Sequence, residues 1–332
     1  MAELRYSDAL NAALREEMHR DPSVLVLGED IAVWGEGGGV FSVTKGLLDE
    51  FGPERVRDTP ISEEAFVAVA VGAAMTGTRA VVELMYGDFL TFAMEPLVNQ
   101  AAKAHYMFGG QAAVPMVVRT NLGASGGKAA QHSQSLETWV AHVPGLEVAV
   151  PSTPADAKGL LKTAIRSDNP VVFFEHKLLY FTKGEVPDGE HLVPLGRAAV
   201  RRAGRHVTVV ATQQMLVLAE RAADRLAADG IEVELVDPRT LVPLDVATIV
   251  ESVEKTNRLV VCHEAVERFG WAGEIAMQVI EHAFDSLDGP IVRVCGANTP
   301  VPYSEPLETA VIPTDGDIEA GIRRALEGSG LV

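Results

Sequence analysis

A chain of 332 residues with 46 Asp and Glu against 28 Lys and Arg carries a net charge of -18 at pH 7, which excludes a general attraction to nucleic acid or to an anionic membrane surface. Hydrophobic residues make up 47% and aromatics only 6%, so the core has to be built from Ala, Val, Leu and Ile, as in a parallel sheet wrapped by helices. The two cysteines, Cys262 and Cys295, each lie inside an apolar run; they suit neither a disulfide framework nor a metal cluster and fit a reducing compartment, the cytoplasm.

The length predicts about two domains. A helix over 7–19 follows almost directly on Met1, with Glu3 and Asp8 beside it, a pattern of neither a secretory signal nor an Arg-rich transit segment. Strands are expected at 24–27, 79–85, 115–119, 147–150 and 171–175, and helices at 42–51, 62–76, 90–107, 133–142 and 154–167, from the period of the apolar residues and the capping signals. Such alternation implies βαβ units and a doubly wound parallel sheet. The longest apolar run, 65–77, is too short to span a bilayer. From 183 to 197 the chain turns polar and carries Gly184, Pro187, Gly189 and Pro194, the composition of a linker. A second alternation follows, with strands at 207–211, 231–236, 258–262 and 291–294 and helices at 215–229, 245–255, 271–284 and 317–326. The expected organisation is therefore an α/β domain over 1–190 and a smaller α/β domain over 191–332.

One segment joins carboxylates to small apolar residues. Ser62 is a competent N-cap, and Glu63 and Glu64 fall in the first turn, where the helix dipole favours negative charge. That alone explains an acid there, but not why the helix behind it is built for burial on every side, with Ala65, Ala68, Ala70, Gly72, Ala73 and Ala74 leaving room for another backbone to approach. A carboxylate at the rim of such an interface is partly desolvated, which raises its proton affinity and fits it for acid–base work.

Other motifs carry less. Gly35-Glu36-Gly37-Gly38-Gly39 is too far from the strand ending at Leu27 for a dinucleotide fingerprint, and Val40 stands where its third glycine belongs; a ligand-facing or interface loop is the better reading. The loop 121–134, Asn-Leu-Gly-Ala-Ser-Gly-Gly-Lys-Ala-Ala-Gln-His-Ser-Gln, follows a buried strand and leads to a helix. Its glycines permit close approach of a ligand, and His132 can donate, accept and change charge near neutral pH. His19, His105, His142, His191, His206, His263 and His282 are read as structural. His263 and Glu264 could pair on a metal, but no further ligand has suitable spacing.

Six segments in order, 58–63, 83–89, 129–134, 156–161, 175–180 and 299–303, resemble the beta subunit of thiamine diphosphate-dependent 2-oxo acid dehydrogenases, essentially end to end. The resemblance implies a transketolase-type pyrimidine-binding domain followed by a transketolase C-terminal-type domain that dimerises with a second beta subunit and docks a lipoyl-bearing acyltransferase core. It also implies thiamine diphosphate shared with an alpha subunit that holds the diphosphate and Mg2+. Gly87-Asp88-Phe89 starts like the diphosphate motif of thiamine enzymes but lacks its third glycine, in keeping with that division.

By the same carry-over, Glu63 contacts the aminopyrimidine ring nitrogen and promotes the reactive tautomer, while Met85 and Phe89 line the pyrimidine pocket. His132 matches the histidine that handles protons as the acyl group passes to lipoyl. Met116, Ala164, Ile165 and Asn169 match carbonyl ligands of a potassium ion, although the family's Arg-Asp-Asn-Asn reads Arg166-Ser167-Asp168-Asn169 here. The implied activity is that of an oxidoreductase decarboxylating pyruvate or a similar 2-oxo acid, with acetoin and branched-chain 2-oxo acids as alternative substrates. A non-catalytic assembly subunit, a single-chain transketolase-like enzyme and a nicotinamide-dependent dehydrogenase are rivals of other classes.

Overall fold

The computed structural model describes residues 1–32 and 38–327, and the chain separates into two compact units. The first comprises Met1–Leu122 and Trp139–Leu195; the second comprises Gly123–Thr138 and the chain from Gly196 onward. Among the described residues no helix is long and apolar enough to cross a membrane.

In the first unit the strands are β1 (Ala2–Arg5), β2 (Val24–Gly28), β3 (Val56–Asp58), β4 (Arg79–Leu84), β5 (Met116–Leu122), β6 (Glu147–Ala149), β7 (Val171–His176) and β8 (Lys183–Val186). Six of them lie side by side in the order β6-β7-β5-β4-β2-β3, all parallel. β5 and β7 are buried along their whole length, as central strands of a doubly covered sheet should be, apolar in their first half and polar toward their carboxyl ends. The strand order reverses beside β2, so the carboxyl ends of β2, β3 and β4 lead into the kind of crevice where open α/β sheets bind ligands. β2 and β4 approach so closely there that a Cβ on Gly28 would lie 2.5 Å from the Glu83 carbonyl oxygen.

Several expected elements differ. The helix expected at 42–51 begins only at Leu47, because Gly46 before it is left-handed with φ 77°. The helix expected over 90–107 is continuous but not uniform: Leu90–Met94 and Ala102–Met107 are α-helical, and Glu95–Ala101 between them is a wider π-type stretch. Pro96 has no N–H to give to the carbonyl four residues back, which favours the widened turn. Only Glu137–Ala141 of the helix expected at 133–142 forms. The polar stretch read as a linker contains β8, which pairs antiparallel with β1 in a two-stranded ribbon; its lone buried residue, Val186, leaves no alternation to betray it.

The second unit holds β9 (Ala199–Arg202), β10 (Val207–Ala211), β11 (Val233–Asp237), β12 (Thr240–Val242), β13 (Leu259–Val266) and β14 (Val292–Gly296). A five-stranded sheet runs β14-β13-β10-β11-β9, parallel except for the antiparallel edge strand β9. Val209, Leu235, Val260 and Cys262 from the sheet pack with Leu216, Ala223, Ile318 and Ile322 from helices Gln213–Ala228 and Asp315–Ala325. The latter helix starts with a capping box: Thr314 Oγ1 accepts from the Asp317 N–H, and Asp317 Oδ2 accepts from the Thr314 N–H. Such a cap contributes about 1 kcal/mol.

Candidate active site

The carboxyl ends of β2, β3 and β4 deliver the first unit's candidates. Glu63 opens the helix Glu63–Met75 and is buried, while Glu64 is exposed. Ser62 stands at the N-cap as expected, yet its side chain makes no capping hydrogen bond, so the acid owes its place to the dipole and to burial and not to a serine cap. The helix is not buried on every side. Phe66, Val67, Ala70, Val71 and Ala74 face the core, whereas Ala65, Ala68, Val69 and Gly72 are exposed, and a Cβ on Gly72 would meet nothing within 4 Å. A flat stripe of small residues beside Glu63 is thus left open on this chain.

Sequence reading missed Glu29, which directly follows β2. It is buried, and its Oε2 has no hydrogen-bond partner among the described residues. Burial, then the negative charges of Glu63 and Asp30, push its carboxyl above the usual carboxylate range. Two acids in one buried neighbourhood, one of them held toward the neutral form, make a site suited to a ligand with protonatable nitrogen. The available signal was weak: an acidic pair, Glu29-Asp30, immediately after an apolar strand.

Met85 and Phe89 are both half-buried just past β4. The Met85 carbonyl accepts from Asn121 Nδ2. An aromatic wall continues from Phe89 through Tyr86 to Phe41 and Tyr180, with ring centroids 5.8, 6.4 and 4.3 Å apart in turn. Beneath it lies a buried ion network. Arg119 donates to Glu175 at 2.7 and 2.9 Å and to Glu83 at 2.8 Å, and the Tyr180 hydroxyl donates to Glu175 at 2.7 Å. Burial works against the Arg119 charge, but Glu175 and Glu83 more than offset it and keep the guanidinium protonated. The sequence cue was an arginine directly after the apolar run Met116-Val117-Val118 of a strand. Of the glycine-rich motif, residues 35–37 lie outside the described residues; Gly39 has φ 69°, and a Cβ on it would lie 2.5 Å from Glu83 Oε1.

The four potassium candidates fall near the amino end of β5 and the end of helix Pro154–Arg166. Met116, Ala164 and Ile165 are buried, and Asn169 is exposed. Arg79 already brings positive charge there: its Nη1 donates to the carbonyls of Ile165 at 3.1 Å and Ser167 at 2.8 Å.

His132 lies in the second unit, half-buried on the loop 123–136. Gly123, Gly126, Gly127 and Ala129 all have positive φ, from 56° to 86°, a backbone that makes little regular hydrogen bonding of its own. Carboxylates from far along the chain serve it instead. Glu264 accepts from the Ala124 N–H at 2.6 Å; Glu308 accepts from those of Gly126 and Gly127 at 2.8 and 3.0 Å. Charge-assisted bonds of this kind contribute roughly 1.5–3 kcal/mol each. At the loop's far end Glu137 Oε1 lies 2.7 Å from His263 Nε2 and accepts from Trp271 Nε1 at 3.2 Å. Burial would raise the Glu137 carboxyl, but His263 and the Trp271 hydrogen bond hold it below the usual range. His263 and Glu264, whose spacing suits no metal site, therefore both serve the loop.

The chain matches the family model of the transketolase pyrimidine binding domain over residues 2–183 and that of the transketolase C-terminal domain over residues 196–318. A solved chain described as a split-gene transketolase, in an inactive beta4 tetramer, has the same fold, with a TM-score of 0.79 at 23% identity over 97% of this chain and 98% of that one. The class is thus a two-domain, transketolase-type α/β protein. The chain is 49% identical to the beta subunit of acetoin:2,6-dichlorophenolindophenol oxidoreductase of Cupriavidus necator, over 96% of each chain. It is 47% identical to a mitochondrial pyruvate dehydrogenase E1 beta subunit of Oryza sativa, over 97% of this chain and 86% of that one, and 44% identical to the pyruvate dehydrogenase E1 beta subunit of Rhizobium meliloti, over 97% and 70%. It belongs to the family of pyruvate and acetoin dehydrogenase beta subunits.

Proposed function

We propose that this chain is the beta subunit of a cytoplasmic thiamine diphosphate-dependent 2-oxo acid dehydrogenase, active only with an alpha subunit. The observation that carries the reading is the pair of buried acids, Glu63 at a helix start and Glu29 with an unpartnered oxygen, beside a helix face of small residues left open. Residues 1–190, apart from the loop 123–138 that groups with the second unit, are proposed as the pyrimidine-binding domain and 191–332 as the domain for beta–beta contact and docking of a lipoyl-bearing acyltransferase core. The open face of Glu63–Met75 is offered to another subunit, and Mg2+ with the diphosphate belongs to the alpha chain.

When bound, thiamine diphosphate supplies the nucleophilic carbon and the electron sink for decarboxylation of a 2-oxo acid. Glu63 would hold the aminopyrimidine ring at its ring nitrogen, and Glu29, its carboxyl raised above the usual range by burial, is the second acid beside it. Met85 and Phe89 would flank that ring and exclude water, which strengthens each polar contact within. His132 donates and accepts a proton as the acyl group passes to lipoyl.

Carbonyls of Met116, Ala164 and Ile165, with Asn169, are proposed as a structural potassium site alongside Arg79. A higher unfolding temperature in potassium than in sodium chloride is the expected result; equal temperatures would remove the ion.

Pyruvate is the proposed substrate. Acetoin is the second reading, favoured by the identity to the Cupriavidus necator protein and 47% identity to a Bacillus subtilis protein of the same description. Co-expression with an alpha-type chain, followed by assay of pyruvate, acetoin and branched-chain 2-oxo acids, tests both. Turnover of none of them contradicts the proposal.

A further inference from the structure

We infer that Glu308, with Glu264, is a positioning residue for the His132 loop, so that the acyl-transfer half of the proposed reaction is set from the body of the second unit. This inference rests on the proposed role of His132. Two backbone bonds within the loop, Gly123 N–H to Gln134 O and His132 N–H to Ala129 O, are 3.3 Å each. Three shorter bonds run to Glu264 and Glu308. Glu308 uses one oxygen for each of two consecutive amides, at Gly126 and Gly127, whose φ values of 79° and 67° turn both N–H groups outward.

The opposite partner is equally constrained. Glu308 is buried although the helix that carries it, Glu305–Val311, is mostly exposed. Immediately before that helix, Tyr303 approaches the position of a Cβ on Gly127 to 3.6 Å with its carbonyl oxygen and 3.8 Å with its ring. The motif 299–303 therefore acts locally, bringing Tyr303 and Glu308 against the two glycines. His132 follows Gly127 by only a short stretch of chain, which the Gly123–Gln134 bond closes into a loop. Displacing the glycine pair therefore displaces the imidazole. Only a carboxylate can accept both amides; glutamine keeps one acceptor and turns an NH2 group toward the other N–H.

The test uses the enzyme assembled with its alpha chain and compares Glu308→Ala, Glu308→Gln and His132→Ala. Three readouts are taken: dye-linked decarboxylation, acyl transfer to a lipoylated domain, and amide exchange across 123–134. For Glu308→Ala the expected result is a loss of about tenfold or more in kcat for acyl transfer, less than about threefold in the dye-linked reaction, and faster exchange at Gly126, Gly127 and His132 while β13 stays protected. Glu308→Gln should fall between wild type and Glu308→Ala, and Glu308→Ala combined with His132→Ala should be no slower than His132→Ala alone. Unchanged exchange across the loop overturns the inference, as does equal loss in both reactions. If exchange accelerates while His132→Ala leaves acyl transfer intact, loop positioning by Glu308 stands and the role proposed for His132 fails.

Discussion

The helix Glu63–Met75 and the loop carrying His132 hold their polar groups by opposite means. Glu63 is placed by its own helix: the first turn fixes the carboxylate and the core-facing Phe66, Val67 and Ala70 fix the helix. The loop is placed by acids 140 to 182 residues away in sequence. Helix geometry is local and robust to changes elsewhere, whereas a loop rich in positive φ that gives three amides to remote carboxylates depends on residues far from it. The difference teaches where each site should be fragile: Glu63 to loss of its own charge, His132 to substitutions far from it.

The largest effect that sharpens this contrast belongs to Glu63→Gln. The amide keeps the shape and the helix start, so assembly and unfolding temperature should hold while turnover of the assembled enzyme falls by about 10²–10⁴-fold, the range of general acid–base catalysis. Unchanged turnover removes Glu63 from the mechanism. Next comes Arg119→Met, which strands Glu175 and Glu83. It should cost about 3–5 kcal/mol of stability in denaturant titration, as when one partner of a buried ion network is removed; a loss under about 1 kcal/mol would mean that water reaches the acids. His132→Ala should slow acyl transfer by roughly 10²-fold and decarboxylation far less; equal losses would reassign it.

The smallest effect is expected for Glu137→Gln, at about 1–3 kcal/mol. Because His263 and Trp271 hold the Glu137 carboxyl below its ordinary value, its contribution is present at neutral pH and above the ordinary carboxylate range. It is lost as pH falls below that range through the folded value. Wild type and variant should therefore differ at neutral pH and converge in acid, as read by denaturant midpoints across pH. A difference that grows toward acid would contradict the pairing.

How much of this was legible in the sequence follows the same division. The βαβ alternation showed itself because parallel strands such as Val171–His176 open on an apolar run, here Val171 to Phe174, and Glu63 stood out because an acid before a run of alanines breaks a local pattern. Glu29 was hidden, since one acid after a strand looks like any loop residue. Glu308 was hidden more deeply: its partners are backbone amides of glycines 182 residues earlier, and no side-chain pattern marks an amide. Arg119 could have been caught, because an arginine within Met-Val-Val-Arg-Thr-Asn-Leu demands a buried carboxylate. The ribbon of β1 and β8 and the π-type stretch at Glu95–Ala101 show two further limits: edge strands need no apolar alternation, and one proline can widen a helix without ending it.

The claim on which the account turns is that this chain owns half of a coenzyme site. Calorimetric titration of thiamine diphosphate with Mg2+ into the purified chain, then into the chain assembled with its alpha partner, addresses it directly. The account predicts no measurable binding and no turnover of pyruvate or acetoin by the chain alone, with both restored on assembly and turnover abolished again by Glu63→Gln. Tight binding and full turnover by the isolated chain would contradict it.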